Sequence, residues 1–278
     1  MKIGAIIQAR MSSSRLPNKV LKNLPYDGDA CVLQQVIRRV SNSNFIDEVI
    51  VATSDSEEDE KIVDIAKLEE VHYFQGNLYN VLDRFYKTAS NFDLDLIVRV
   101  TSDNPCIDSN VIDKVIQNHL ELGADYTSTA LINSFPIGIG CEVINFEVLE
   151  ESYFNATESF EKEHVTPYIY KTHPEKFKIN KYYEDDDNSN LRITLDTYHD
   201  YSLLCLIYDN LYEKNNLFTL SDILQLFDKK PWMRYINDDI VQKKVYDSLE
   251  EELSEVIRLC DMQDLYKAKE FIENHFGE

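Results

Sequence analysis

Short apolar runs alternate with amphipathic stretches along most of the chain. Residues 3–7, five residues rich in isoleucine, have the length and composition of a strand buried on both faces. Residues 30–40 follow with Leu33, Val36, Ile37 and Val40 at helical spacing. Residues 49–52 predict a second strand. The acidic run Ser56-Glu57-Glu58-Asp59 then suits the first turn of a helix whose apolar face is Ile62, Val63, Ile65 and Ala66. A third strand is predicted at 71–74, broken by Gly76-Asn77, and a helix presents Val81, Leu82, Phe85 and Ala89. A fourth strand spans 96–100, with Asp108 as N-cap of a helix over 111–122. Further strands are expected at 125–129 and 191–195, the second leading into a helix with Leu203, Leu204, Ile207, Tyr208 and Leu211 on one face. This alternation predicts an α/β fold, a mostly parallel, doubly wound, Rossmann-like sheet. After Pro231 the pattern changes to two terminal helices, 248–260 and 265–276. The expected division is an α/β domain over 1–230 and a helical extension over 231–278.

Composition narrows the function classes. A chain of 278 residues with 44% hydrophobic residues can bury a sizeable core. It has no apolar run of roughly 18 residues, so no membrane span is expected. Met1-Lys2 passes directly into the first strand without a signal peptide, which makes the cytoplasm the expected address. Five scattered cysteines (31, 106, 141, 205 and 260) and six histidines show neither zinc spacing nor a disulfide framework. Fifty acidic against 28 basic residues, a net charge of -22, disfavours nucleic acid and anionic membranes as partners. A small anionic substrate then needs a local cationic patch.

The loop after the first strand supplies one. Residues 8–19 carry Arg10, three serines, Arg15, Pro17 and Lys19, with little to bury. In open α/β sheets ligands lie beyond the carboxyl ends of the strands, and guanidinium and ammonium groups there suit phosphate. The alternative is a solvated, serine-rich loop. Asp103 and Asp196 each follow an expected strand, and each also reads as a turn-forming or helix-capping residue. Neither a Gly-x-Gly-x-x-Gly after the first strand nor a Walker-type loop is present, which disfavours dehydrogenases and P-loop kinases.

Gln8-Ala9-Arg10-Met11 with Ser14-Arg15-Leu16-Pro17-Asn18-Lys19-Val20-Leu21 closely resembles the signature loop of the sugar cytidylyltransferases. The group it resembles is the spore-coat polysaccharide biosynthesis type, related to the acylneuraminate and 3-deoxy-manno-octulosonate enzymes. The likeness recurs at 76–84, at Arg99-Val100-Thr101-Ser102-Asp103-Asn104-Pro105, at 138–143, at 161–168 and at Arg192-Ile193-Thr194-Leu195-Asp196-Thr197. It covers roughly residues 1–245. Two positions depart from the family pattern: Ser102 stands for its usual Gly, and Gly140 for its usual Asp.

The resemblance implies a nucleotide-diphospho-sugar transferase type of fold, with nucleotide bound by about 1–110 and acceptor by about 111–230. It implies transfer of CMP from CTP to a sugar acid or a phosphorylated sugar or polyol, with release of pyrophosphate. Arg10, Arg15 and Lys19 would neutralise the phosphates, and Asp103 and Asp196 would hold Mg²⁺. Backbone groups around Ala5, Ile7, Gln8 and Ala9, with Ser14, Ser54, Gly76 and Ser102, would bind the nucleotide. Glu142 and His164 would face the acceptor, although on residues alone they also read as a solvent-facing strand residue and a helix-surface histidine. A homodimer is the family expectation. Two competing readings are a glycosyltransferase using Asp93-Leu94-Asp95 and a nucleotide-binding relative that has lost the reaction.

Overall fold

A computed structural model describes residues 1–240 and 248–276. Seven strands, β1 (Ile3–Gln8), β2 (Glu48–Ser54), β3 (His72–Gly76), β4 (Leu96–Thr101), β5 (Tyr126–Ser128), β6 (Glu142–Asn145) and β7 (Ile179–Lys181), form one sheet in the order β3-β2-β1-β4-β6-β5-β7. β3, β2, β1 and β4 run parallel, and β6 is antiparallel to both its neighbours. The helices are α1 (Val32–Val40), α2 (Glu60–Leu68), α3 (Val81–Asn91), α4 (Ser109–Leu122), α5 (Phe146–Asn155), α6 (Ser159–His164), α7 (Tyr198–Leu211), α8 (Leu220–Lys229), α9 (Leu249–Met262) and α10 (Tyr266–Phe276).

The period of two along β1 divides the core. Ile3, Ala5 and Ile7 pack with Val36, Ile112, Leu204 and Ile223, from α1, α4, α7 and α8. Ile6 points the other way, into a second cluster with Phe85 of α3 and Leu149 of α5. A strand covered on both faces must be apolar throughout, as residues 3–7 are. β2 and β3 lie to one side of β1 and β4 to the other, so the chain reverses direction across the sheet there. That is the switch point at which open α/β sheets leave a crevice. Gln8 and Thr101 are register partners at its two lips.

Residues 191–195 are extended and buried at Leu191, Ile193 and Leu195, but they do not form the expected strand. Arg192 makes one isolated bridge, to Ile137. Ile193 N–H donates to Ile137 O (2.8 Å) while Leu195 N–H donates to Asp103 O (2.8 Å). The segment spends its backbone bonds on two loops at the carboxyl edge, and its apolar side chains close the core there.

The chain divides into two compact units, residues 1–238 and 239–278. Residues 231–238 belong to the first, since Met233 is buried and the Asn237 amide donates to Arg192 O (3.0 Å) and to Asp200 (2.8 Å). In the second unit the Ser248 hydroxyl caps α9 by accepting from Glu251 N–H (3.2 Å). Lys269 of α10 pairs with Asp261 of α9 (2.8 Å). No helix among the described residues is long and apolar enough to cross a membrane, and the cysteines at 31, 106, 141, 205 and 260 are free thiols.

Candidate active site

The first loop leaves β1 at Gln8 and is tied down at both ends. Met11 N–H donates to Asp59 Oδ1 (2.7 Å), and Asp59 also accepts from the Ser54 backbone N–H (3.3 Å) and hydroxyl. Asp59 is fully buried. The acidic run at 56–59 therefore does more than favour a helix terminus, because its last member fastens the loop to the end of β2. Leu16 and Val20 are buried, which anchors the far half of the loop while Arg15 and Lys19 stay half-exposed. Asn18 takes the left-handed conformation (φ 56°) as the chain enters the short turn Lys19–Leu21.

Asp103 follows β4 immediately. The Thr101 hydroxyl donates to its Oδ1 (2.6 Å), and the Asn104 amide donates to the Thr101 hydroxyl (3.0 Å). Asp196 comes from the extended segment 191–195, which is docked on the Asp103 carbonyl by Leu195 N–H and by the Thr194 hydroxyl (3.2 Å). Gly138 makes that docking possible. Its φ of +110° favours glycine, and a Cβ there would lie 2.6 Å from Thr194 N.

The two carboxylates meet at one cation. Lys19 Nζ donates to Asp103 Oδ2 (2.7 Å) and to Asp196 Oδ1 (2.9 Å). Arg15 pairs with Asp196 Oδ2 (2.9 Å), as does Arg192 (2.7 Å). Burial alone would lower the Lys19 pKa, but the two carboxylates outweigh it and hold the ammonium above its ordinary value. Burial likewise opposes ionisation of Asp196, and Lys19, Arg15 and Arg192 reverse the balance and keep its pKa below the usual range. Four side chains separated by up to 181 residues of sequence thus converge beyond the β1/β4 switch point.

Arg192 is itself held by Asp200, which is 0% exposed. Asp200 accepts from Arg192 Nε (2.9 Å), Asp196 N–H (3.0 Å), Thr197 N–H (2.9 Å) and the Asn237 amide (2.8 Å). None of this support was visible in the sequence, beyond the Thr197-x-x-Asp200 spacing of a helix start.

On the other flank, Arg84 is fully buried under the β3 edge. Its Nη1 donates to Asn77 O (2.9 Å), while Nε and Nη2 have no hydrogen-bond partner among the described residues. Burial pulls its pKa down to about 10, against the pull of Asp59 and with the help of Arg10. Gly76 backs directly onto it, since a Cβ at 76 would stand 3.4 Å from Arg84 Cγ. Arg10 is exposed, and its charge reaches both Arg84 and His164.

The remaining expected residues divide. Ala9 and Ser102 lie at the lip, where Ala9 N–H donates to Ala52 O (3.1 Å) and Ser102 N–H to Gln8 O (3.0 Å). Ser102 is not among the residues with positive φ, so serine replaces the family's glycine there without left-handed strain. Ala5 and Ile7 lie inside β1, paired on both sides with β2 and β4. Their backbone groups are committed to the sheet, which leaves Gln8 and Ala9 as the part of that stretch within reach of a ligand. Ser14 is exposed on the loop.

Glu142, on β6, does not face solvent. Arg99 and the Tyr126 hydroxyl donate to it, as does the Thr166 hydroxyl (2.8 Å). Arg99 Nη2 also donates to Gln8 Oε1 (3.3 Å), and its Nε lacks a partner among the described residues. His164 ends α6 half-buried, and burial followed by the charges of Arg99, Arg10 and Lys171 outweighs Glu163 and favours its neutral form. At Gly140 a Cβ would meet the Thr129 hydroxyl at 2.9 Å, so the aspartate usual at this position would need Thr129 to move. Asp95 accepts from Lys2 N–H (2.6 Å) at the amino end of the sheet, on the edge opposite this cluster. Asp93-Leu94-Asp95 is therefore not a metal motif of this site.

A family model described as cytidylyltransferase matches residues 4–271. The chain is 35% identical over 234 residues to the spore coat polysaccharide biosynthesis protein SpsF of Bacillus subtilis, across 81% of this chain and 94% of that one. Over 123 residues (42% of this chain, 44% of the other) it is 34% identical to the 3-deoxy-manno-octulosonate cytidylyltransferase of Geobacter metallireducens. Among solved structures, a cytidylyltransferase from Leptospira borgpetersenii superposes with a TM-score of 0.79 at 30% identity, covering 88% of this chain and 99% of that one.

Proposed function

The chain belongs to the cytidylyltransferase family, and from that premise we propose that it transfers CMP from CTP to an anionic sugar acid or a phosphorylated sugar or polyol. An acceptor oxygen attacks the α-phosphorus, the bond to the bridging oxygen breaks, pyrophosphate departs, and the acceptor proton passes to solvent. One observation carries this reading: Lys19, Arg15, Asp103 and Asp196 are joined at the sheet's switch point. Such transfers depend on positioning and charge neutralisation more than on covalent help from the protein. Arg10, Arg15 and Lys19 are the groups suited to hold the β- and γ-phosphates and to offset the charge gathering on the leaving pyrophosphate.

Asp103 and Asp196 fit a magnesium ion, because two carboxylates converge on a single cationic nitrogen at 2.7 and 2.9 Å. Among the described residues no third ligand joins them, and magnesium commonly completes its shell with substrate phosphates and water. When bound, such an ion would draw charge off the phosphate oxygens. The protein's part includes holding Asp196 ionised, which Lys19, Arg15 and Arg192 do.

The two unpartnered nitrogens of Arg84, Nε and Nη2, lie buried beneath the β3 edge, and a side-chain shift that uncovers them would support a pyrimidine reading there. Cytosine offers two adjacent acceptors, O2 and N3, whereas N3 of uracil is a donor. Arg84→Met is expected to shrink the preference for CTP over UTP by about tenfold or more, read as the ratio of kcat/KM values. On the acceptor side, Arg99 stands beside Glu142 and near His164 with its Nε buried and unpaired, a positive charge suited to attract a carboxylate or phosphate. The test is pyrophosphate release from CTP and Mg²⁺ against a panel of such acceptors, with products identified by mass spectrometry. Tight CTP binding without pyrophosphate from any acceptor would overturn the reading.

A further inference from the structure

We infer that Lys19 and the divalent cation compete for one position between Asp103 and Asp196, so that metal enters this site together with the triphosphate and not before it. The inference rests on the nucleotidyl-transfer reading above and adds an order of events to it. Each of the four carboxylate oxygens already has a donor. Asp103 Oδ1 takes the Thr101 hydroxyl (2.6 Å), and Asp196 Oδ2 takes Arg15 (2.9 Å) and Arg192 (2.7 Å). The two oxygens left to bridge, Asp103 Oδ2 and Asp196 Oδ1, are the ones that Lys19 Nζ joins at 2.7 and 2.9 Å.

A dication that binds both of those oxygens must take the ammonium's place. Two like charges a few ångströms apart in a half-buried site repel strongly, and neither can share the pair without loss. Lys19 is able to give way. Its side chain has a flexible four-carbon stem and a compact charge that accepts any anionic geometry, whereas Arg15 and Arg192 engage only the outer oxygen of Asp196. What the ammonium requires on leaving is another anion, and the triphosphate offers oxygens next to the place it vacates. Metal and nucleotide are then coupled through one side chain. By reciprocity each raises the other's affinity by the same factor. Metal alone meets an occupied pair of carboxylates, and nucleotide alone would draw Lys19 away and leave the two facing oxygens, Asp103 Oδ2 and Asp196 Oδ1, without the cation that bridges them.

The test uses Mn²⁺ as probe and the full chain, with binding read from the EPR signal of the free ion, with and without CTP and with no acceptor added. Wild type is expected to bind Mn²⁺ weakly alone and about tenfold or more tightly once CTP is present. Lys19→Met is expected to bind Mn²⁺ alone about tenfold more tightly than wild type, with the CTP enhancement correspondingly reduced. Lys19→Gln is measured alongside, and thermal melts establish which variants are folded. Lys19→Arg keeps the competing charge and is expected to stay near wild type. Folded Lys19→Met and Lys19→Gln proteins with no gain in metal affinity would overturn the competition while leaving the activity reading intact. A gain in Lys19→Arg equal to that in Lys19→Met would also overturn it. Wild type that binds no Mn²⁺ even with CTP would instead remove the metal assignment on which both readings stand.

Discussion

Asp103→Asn is expected to fold normally and to lose about a thousand-fold in kcat, on the order of 4 kcal/mol of transition-state stabilisation. The amide keeps the shape of the carboxyl group, so its oxygen can still accept from the Thr101 hydroxyl, as Asp103 Oδ1 does at 2.6 Å. The Asp103 carbonyl keeps its bonds from Leu195 N–H and Thr194. The backbone clamp that brings 103 and 196 together therefore survives. What disappears is one of the two negative charges facing Lys19, and with it half of the protein's share of the metal shell we propose. Such a loss should appear in kcat more than in the KM for CTP, because the phosphates keep Arg10, Arg15 and Lys19. Pyrophosphate release at saturating CTP measures the first and its CTP dependence the second. A variant that melts near wild type and turns over at the wild-type rate would sink the assignment of Asp103 to the chemistry.

The candidate site was legible in the sequence where chemistry sits beside a strand end. Asp103 follows an apolar run by three residues, and Arg10, Arg15 and Lys19 crowd a loop that has little else to bury. The elements that support the site were not legible, for a physical reason. Hydrogen-bond partners such as Met11 and Asp59, or Asn237 and Asp200, are 48 and 37 residues apart, and nothing in local periodicity links them. Asp59 illustrates this well. Within its own stretch it is one of several acids at a helix start, and only the path of the first loop makes it a buried acceptor for Met11 and Ser54. The error at 191–195 has a related origin. An apolar run tells that a segment is buried, but whether it joins a sheet depends on which backbone lies beside it, here two loops. Arg84 was marked only by the likeness at 76–84 and not by its local pattern, since an arginine on an amphipathic helix ordinarily lies in solvent.

Asp200→Ala is expected to cost about 3–5 kcal/mol of stability, because it leaves a buried guanidinium without its main counter-charge. Asp200 is wholly buried, and it satisfies Arg192, two backbone N–H groups and Asn237. Its removal takes this acceptor from all of them together, and Asp196, which also pairs with Arg192, is already shared with Lys19 and Arg15. For a chain of this size the loss corresponds to a fall in Tm of about 10 °C, measured by thermal unfolding at pH 7. Asn237→Ala removes the amide's bonds to Arg192 O and to Asp200 but leaves the charge pair, and should cost about 2 kcal/mol. The pH dependence gives an independent check. Burial would raise the Asp200 pKa, but Arg192 and Asn237 outweigh it and depress it below the usual carboxyl value. The same holds for Asp196 with Lys19, Arg15 and Arg192. A carboxyl group depressed in the folded state contributes stability that is fully present above its unfolded pKa of about 4 and is lost as pH falls through the folded value. Wild type should therefore lose Tm steeply below about pH 4, and Asp200→Ala, already lacking one such group, should fall less steeply over the same interval. Parallel curves for the two proteins would mean that Asp200 is not ionised against Arg192 in the fold, and would leave Asp196 without the buried brace described for it.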